Sequence, residues 1–233
     1  FTFLLSGVLT HLFAWRKYRV RFASIRFKDV CDAFRDGFPL FLSYAASKII
    51  SNVGVTVLGF SQTTAVVGSY SVVLKIPQII NMMFSPVSQA LYPRVNEECL
   101  RSKSEAKRYV LRLAIPIVGG FAVCLAAIVL LRKPLVGLLF GKDYLSCADT
   151  LIPLALWVLL GVVNNFLGVQ LLIPFGCQAV YSKLILADSV LSLVLNVALG
   201  SAFGAMGVAS AVAIAEAVLT ALLFFGLTKV TAD

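Results

Sequence analysis

The residues of this chain best suited to chemistry are charged groups placed inside apolar runs. Lys48 and Lys75 each fall well within a stretch long enough to cross a bilayer. A charge at mid-bilayer costs about 3 kcal/mol on insertion scales, so such residues tend to carry function. Their neighbours at helical spacing are polar. Tyr44, Lys48, Ser51 and Asn52 share one face of a first predicted helix; Ser71, Lys75, Gln78, Ser85 and Gln89 share one face of a second. Residues three and four apart lie on the same face, so each helix presents a polar stripe. Two lysines on consecutive stripes suit an anion, and a lysine binds phosphate as a point charge. The alternative is structural: both lysines pair with Asp188 and Glu216, the acids of the last two predicted spans.

Those two acids have a second reading of their own. Asp188, Ser192 and Asn196 share a face, as do Glu216 and Thr220. A carboxylate held in the membrane can exchange a proton or a cation with a moving ligand. It can equally serve as a helix-to-helix hydrogen-bonding or ion-pairing group, and the sequence leaves both open. Asn164 and Asn165 are expected to hydrogen-bond between helices or to line a cavity. Pro77 and Pro86 are expected to interrupt the second span, as a static kink or a hinge. Gly200 and Gly204 have GxxxG spacing at a span end, where a turn is the expected role.

Other chemistries lack their parts. The single histidine, His11, ends an apolar run, and the five cysteines show neither CxxC nor zinc spacing. No Walker loop, GxGxxG or paired-carboxylate motif is present. The expectation is therefore no cofactor, no metal and no enzymatic activity.

The elements that position these residues follow from composition. Of 233 residues 60% are apolar and 13% charged, against roughly half and a quarter in soluble domains. A bilayer core needs about 20 apolar residues per helix. Full spans are predicted over residues 37–60, 66–91, 109–131, 150–173, 184–203 and 207–228. Polar connections are expected at 61–64, 92–108 and 174–183, with a mixed interfacial stretch at 132–148. Residues 1–15 are too short for a span and lack a signal peptide's basic start and cleavage site. They read as the end of a helix whose beginning is missing, which makes the chain a fragment of a longer protein. The predicted fold class is an all-α polytopic membrane protein: the end of a truncated helix (1–15), a basic cytoplasmic loop (16–36) and a six-helix lobe (37–230).

Lysine and arginine set the orientation. One side collects 14 of them, from Arg16 to Arg35, Arg94 to Arg108, and at Lys183 and Lys229; the other holds only Arg132, Lys133 and Lys142. The basic side is expected to be cytoplasmic, with the C-terminus on it. The net charge of +9 is then topological. Contact of the first loop with anionic lipid is the expected role, and no nucleic-acid partner is implied.

Three segments carry a family resemblance. Val67-Gly68-Ser69-Tyr70-Ser71 through Lys75-Ile76-Pro77, then Ser85-Pro86-Val87-Ser88-Gln89-Ala90-Leu91-Tyr92-Pro93-Arg94, resembles the bacterial polysaccharide and O-antigen (Wzx-like) flippases. These belong to the multidrug/oligosaccharidyl-lipid/polysaccharide exporter superfamily. Leu139-Phe140-Gly141-Lys142-Asp143-Tyr144 and Phe203-Gly204-Ala205-Met206-Gly207-Val208-Ala209 resemble two later motifs, and the likeness covers about residues 34–227. The resemblance implies two six-helix lobes around a central cavity, of which this chain would be the C-terminal one, with the N-terminal lobe as its missing partner. It implies alternating access that moves a polyprenyl-diphosphate-linked oligosaccharide across the bacterial inner membrane. It also implies that cavity cations contact the diphosphate, a role fitting Lys48 and Lys75 with Tyr44, Asn52 and Gln78 beside them. Glu216 and Asp188 would serve cation coupling. The competing readings are a cation-coupled multidrug exporter of the same superfamily and a membrane glycosyl polymerase or ligase. Acidic cavities would suit cationic drugs, and a polymerase would normally bring a larger outer loop.

Overall fold

The computed structural model describes residues 53–230, with Leu5, Gly7, Val8, Thr10, Leu12, Phe13, Trp15, Arg16, Lys28, Val30 and Phe34 ahead of them. The chain divides into two units, Phe1–Leu42 and Ser43–Asp233. In the first, the described residues are helical. Tyr44, Lys48 and Asn52, and most of residues 1–52, lie outside the described residues.

The second unit is helical throughout, with no strand among the described residues. Its elements are α1 (Val53–Ser61), α2 (Thr64–Val73), α3 (Lys75–Arg101), α4 (Lys103–Leu130), α5 (Arg132–Leu139), a 3-10 helix (Lys142–Thr150), α6 (Leu151–Asn164), a π-helix (Asn165–Leu172) and α7 (Gln178–Val230). Four stretches are long and apolar enough to cross a membrane: Thr64–Arg101, Lys103–Leu130, Lys142–Leu172 and Gln178–Thr228.

The count of four differs from the sequence expectation for two reasons. The first predicted span is described only from Val53 onward. The last stretch, 51 residues, would reach about 77 Å if straight, more than twice the ~30 Å bilayer core. It is not straight. Gly204 takes φ 59° and ψ −136°, a region glycine alone enters freely. The chain reverses there. Leu184 of the first arm lies 3.8 Å from where a Cβ on Gly226 of the second would be, and Gly200 meets Val208 in the same way at 2.8 Å. Residues 178–203 and 205–230 are thus antiparallel arms, and the turn expected at Gly204 is present.

Two further boundaries shift. The expected loop 92–108 is helical apart from Ser102, whose hydroxyl accepts from the backbone N–H of Ser104 at 3.3 Å to start α4. The polarity of 92–108 marks a helix leaving the apolar layer, not a loss of helix. Pro86 and Pro93 both lie inside α3. Pro77 does coincide with a break, at Leu74 between α2 and α3. It occupies the third position of α3, in the first turn, where backbone N–H groups lack an intrahelical acceptor and proline's missing donor costs little.

The helix ends gather at two poles. At one, Gln62 packs beside Gly204, and α2 packs on the 3-10 helix. At the other, the Cys99 thiol donates to the Pro174 carbonyl at 3.3 Å, and Lys103 Nζ sits 5.9 Å from the Phe175 ring centroid. Arg132, Lys133 and Lys142 belong to the segment at the first pole; Arg101 and Lys103 flank the junction at the second. Between the poles, Phe84 packs edge-on against Phe121 at 5.6 Å and Phe166 at 5.7 Å. In α7, the buried Val208, Ala209, Ala211, Ala213 and Ala215 let a neighbouring backbone approach closely. The outside is apolar as well: Phe60, Met82, Ile115, Leu130 and Phe203 are all strongly exposed, the surface a lipid solvent requires.

Candidate functional site

Lys75 is the first residue of α3, immediately after the break at Leu74. It is exposed, and among the described residues it makes no ion pair. One turn on, Gln78 is half-buried. Both line a cavity of about 260 Å³ completed by Ser71, Leu74, and Val55 and Thr56 of α1. Lysine, amide and two hydroxyl side chains thus converge from three helices, α1, α2 and α3. The volume lies below the roughly 300–1,000 Å³ of drug-sized ligand sites. Thr56 continues the sequence register of Tyr44, Lys48 and Asn52 along the first predicted helix, although those three residues are outside the described set.

Glu216 and Asp188 do not line this cavity. Asn164 Nδ2 donates to Glu216 Oε1 at 2.8 Å and to the Glu216 carbonyl at 3.2 Å. The Thr220 hydroxyl donates to the same carbonyl at 2.8 Å. Asp188, on the other arm of α7, lies within electrostatic range of Glu216. Buried polar oxygens without partners among the described residues remain on Asn164 and Asp188. The site residues therefore form two groups: a lysine cavity between α1 and the α2–α3 junction, and an acidic group between α6 and α7. The alternative reading, in which the lysines pair with these acids, is not met at Lys75 among the described residues, and Lys48 lies outside them. The two ion pairs among the described residues are Arg101–Glu98 at 3.6 Å and Arg132–Asp149 at 2.6 Å.

Asn164 and Asn165 bridge helices, as one of their two sequence readings had it. Asn165 Oδ1 accepts from the Ser88 hydroxyl at 2.8 Å. Ser88 is in turn bonded by Gln170, whose Nε2 donates to the Ser88 carbonyl at 3.0 Å and hydroxyl at 3.1 Å. Sequence reasoning passed over Gln170, which is fully buried. Its signal was available: one glutamine alone in the apolar run 166–173. Asn196 bonds back to the Ser192 carbonyl at 2.8 Å, so part of the Asp188–Ser192–Asn196 stripe is satisfied within its own helix.

The chain is an all-α polytopic membrane protein with a lysine-bearing cavity along its bundle. Comparison with known proteins takes this further. A family model described as polysaccharide biosynthesis protein matches residues 1–98. A curated protein of Shigella dysenteriae, named "putative O-antigen transporter", is 24% identical over 192 residues, covering 82% of this chain and 47% of the relative. A protein of the same name from Escherichia coli strain K12 is 23% identical over 195 residues, covering 82% and 46%. The chain spans about half the length of the curated relatives it matches. No solved structure matches it. The chain is thus similar, over its first 98 residues, to polysaccharide biosynthesis proteins and, over most of its length, to two proteins named as O-antigen transporters.

Proposed function

We propose that this chain forms one lobe of a transporter that moves a polyprenyl-diphosphate-linked oligosaccharide across the bacterial inner membrane by alternating access. The observation that carries the reading is the cavity holding Lys75, which makes no ion pair among the described residues, beside Gln78, Ser71 and Thr56. A doubly charged phosphate group is the ligand such a cation attracts. Lys48, Tyr44 and Asn52 extend the same chemistry by sequence register. The proposed partners are the lipid-linked oligosaccharide, membrane lipids and an N-terminal lobe of the same protein. The collection of basic residues on one side supports a cytoplasmic C-terminus. Glu216 and Asp188 are proposed as the cation-coupling group. No step of this function makes or breaks a covalent bond, so the protein is read as a transporter and not an enzyme. The multidrug-exporter reading would want an acidic cavity, whereas the lining here is cationic and the relatives are named for O-antigen.

Complementation of a flippase-null strain with the full-length gene tests this. Lys48→Ala and Lys75→Ala, singly and together, are expected to reduce surface polysaccharide at normal protein abundance. Normal polysaccharide from the double variant would remove the diphosphate assignment. Glu216→Gln is expected to lower flipping, with the residual activity indifferent to collapse of the pH gradient.

A further inference from the structure

α3 exposes two adjoining faces of opposite character. Ile79, Met83, Pro86 and Ala90 form one; Gln78, Ser85 and Gln89 continue the other from Lys75, with the exposed Met82 set between Gln78 and Ser85. The apolar face is fit for lipid. The polar face is not, because hydrocarbon offers no partners and each unsatisfied polar group there costs several kcal/mol. From Lys75 to Gln89 the face runs about 21 Å at 1.5 Å per residue. No charged residue interrupts it before Arg94. Gln89 Nε2 donates to the Ser85 hydroxyl at 3.0 Å while both side chains stay exposed, leaving the Gln89 amide oxygen and second N–H available.

Neutral amides and hydroxyls match an uncharged polyhydroxyl ligand, not an anion. The cavity at Lys75, at about 260 Å³, lies below the volume of a typical drug-sized site. A glycan joined to a headgroup in that cavity reaches the polar pair Ser85 and Gln89 about two turns beyond Gln78 on the same helix face, past Met82. We propose that Ser85 and Gln89, continuing from Lys75 and Gln78, form a subsite that hydrogen-bonds the hydroxyls of the glycan carried on the diphosphate. This rests on the diphosphate reading of Lys75 and assigns the sugar to different residues.

The test uses the full-length protein in detergent and two probes: undecaprenyl diphosphate without sugar, and polyprenyl-diphosphate oligosaccharide extracted from the source cells. The Ser85→Ala/Gln89→Ala variant is expected to bind the glycosylated probe about tenfold more weakly, as loss of two hydrogen bonds implies. Its binding of the bare diphosphate should stay within about twofold. Lys75→Ala should weaken both probes. Equal binding of the glycosylated probe by wild type and the double variant overturns the subsite, as does equal weakening of both probes. Failure of both this variant and the conservative Ser85→Thr/Gln89→Asn variant to accumulate as folded protein overturns it too, since the face would then be a seam with the other lobe. If Lys75→Ala leaves bare-diphosphate binding intact, the charge reading fails by itself, and the subsite stands or falls on the glycosylated probe.

Discussion

Asn164 on α6 and Glu216 on α7 are joined by two contacts from one amide nitrogen, at 2.8 Å to the carboxylate and 3.2 Å to the backbone carbonyl. This fixes the register of two neighbouring helices at a point 52 residues apart in sequence. Glu216 is not among the residues that line the Lys75 cavity. Interhelical polar bonds in membrane bundles contribute about 0.6–2 kcal/mol. Asn164→Ala is therefore expected to lower the stability of the detergent-purified protein by about 1 kcal/mol. A double-mutant cycle with Glu216→Ala should return a coupling energy of similar size. Additive effects would show that the bond contributes nothing.

The bonds of Ser88 make a sharper case, because Gln170 is fully buried and its Oε1 has no partner among the described residues. The Ser88 hydroxyl donates to Asn165 Oδ1 and accepts from Gln170 Nε2, which also keeps the Ser88 carbonyl; losing the hydroxyl therefore strands Asn165 Oδ1, and removing Asn165 as well does not leave it stranded. Ser88→Ala is expected to destabilise by about 1 kcal/mol. Asn165→Leu on that background should restore part of the loss, as it removes the stranded amide at similar volume. Chemical denaturation of the single and double variants measures both. A double variant less stable than either single would contradict the account.

Arg132 and Asp149 look stronger than they are expected to be. Their contact is 2.6 Å, and Arg132 Nη1 also donates to the Val129 carbonyl at 3.0 Å. The side chains are 27% and 46% exposed, so water screens the pair. Such ion pairs contribute little to stability. Asp149→Asn is expected to leave the melting temperature little changed and to lose what dependence on salt the pair confers. A thermal melt at low and high ionic strength checks this.

The sequence showed which residues were out of place in lipid, and less of what they touch. Lys75 and Gln78 meet because they are three apart on a helix, which periodicity reveals. That Val55 and Thr56 close the cavity depends on how α1 packs on the α2–α3 junction, which no local pattern encodes. Asn164 and Glu216 were each conspicuous, yet their pairing was not readable, since a polar residue in an apolar run advertises a partner without naming it. The loop expected at 92–108 failed for a related reason. Polarity there reports the end of the apolar layer, and a helix whose backbone bonds are internal can cross that boundary unchanged. The turn at Gly204 was legible because glycine spacing at a span end has a backbone meaning.

Two glycines of the α7 hairpin should respond to the same substitution with opposite signs. A Cβ on Gly207 would run into the carbonyl oxygen of Leu199, a backbone atom that cannot rotate away. Gly207→Ala must push the arms apart beside the turn, where Gly204 already fixes the path with its positive φ. A cost of about 1–3 kcal/mol is expected, typical of overpacking. At Gly226 a Cβ would meet only Leu184 Cδ1, at an ordinary 3.8 Å. Its position inside a helical arm means alanine removes unfolded-chain entropy, so Gly226→Ala is expected to stabilise by about 0.5–1 kcal/mol. Thermal unfolding of the two variants in detergent separates the outcomes. Equal shifts of the same sign would mean that the arms do not pack as the Leu184–Gly226 and Leu199–Gly207 contacts require.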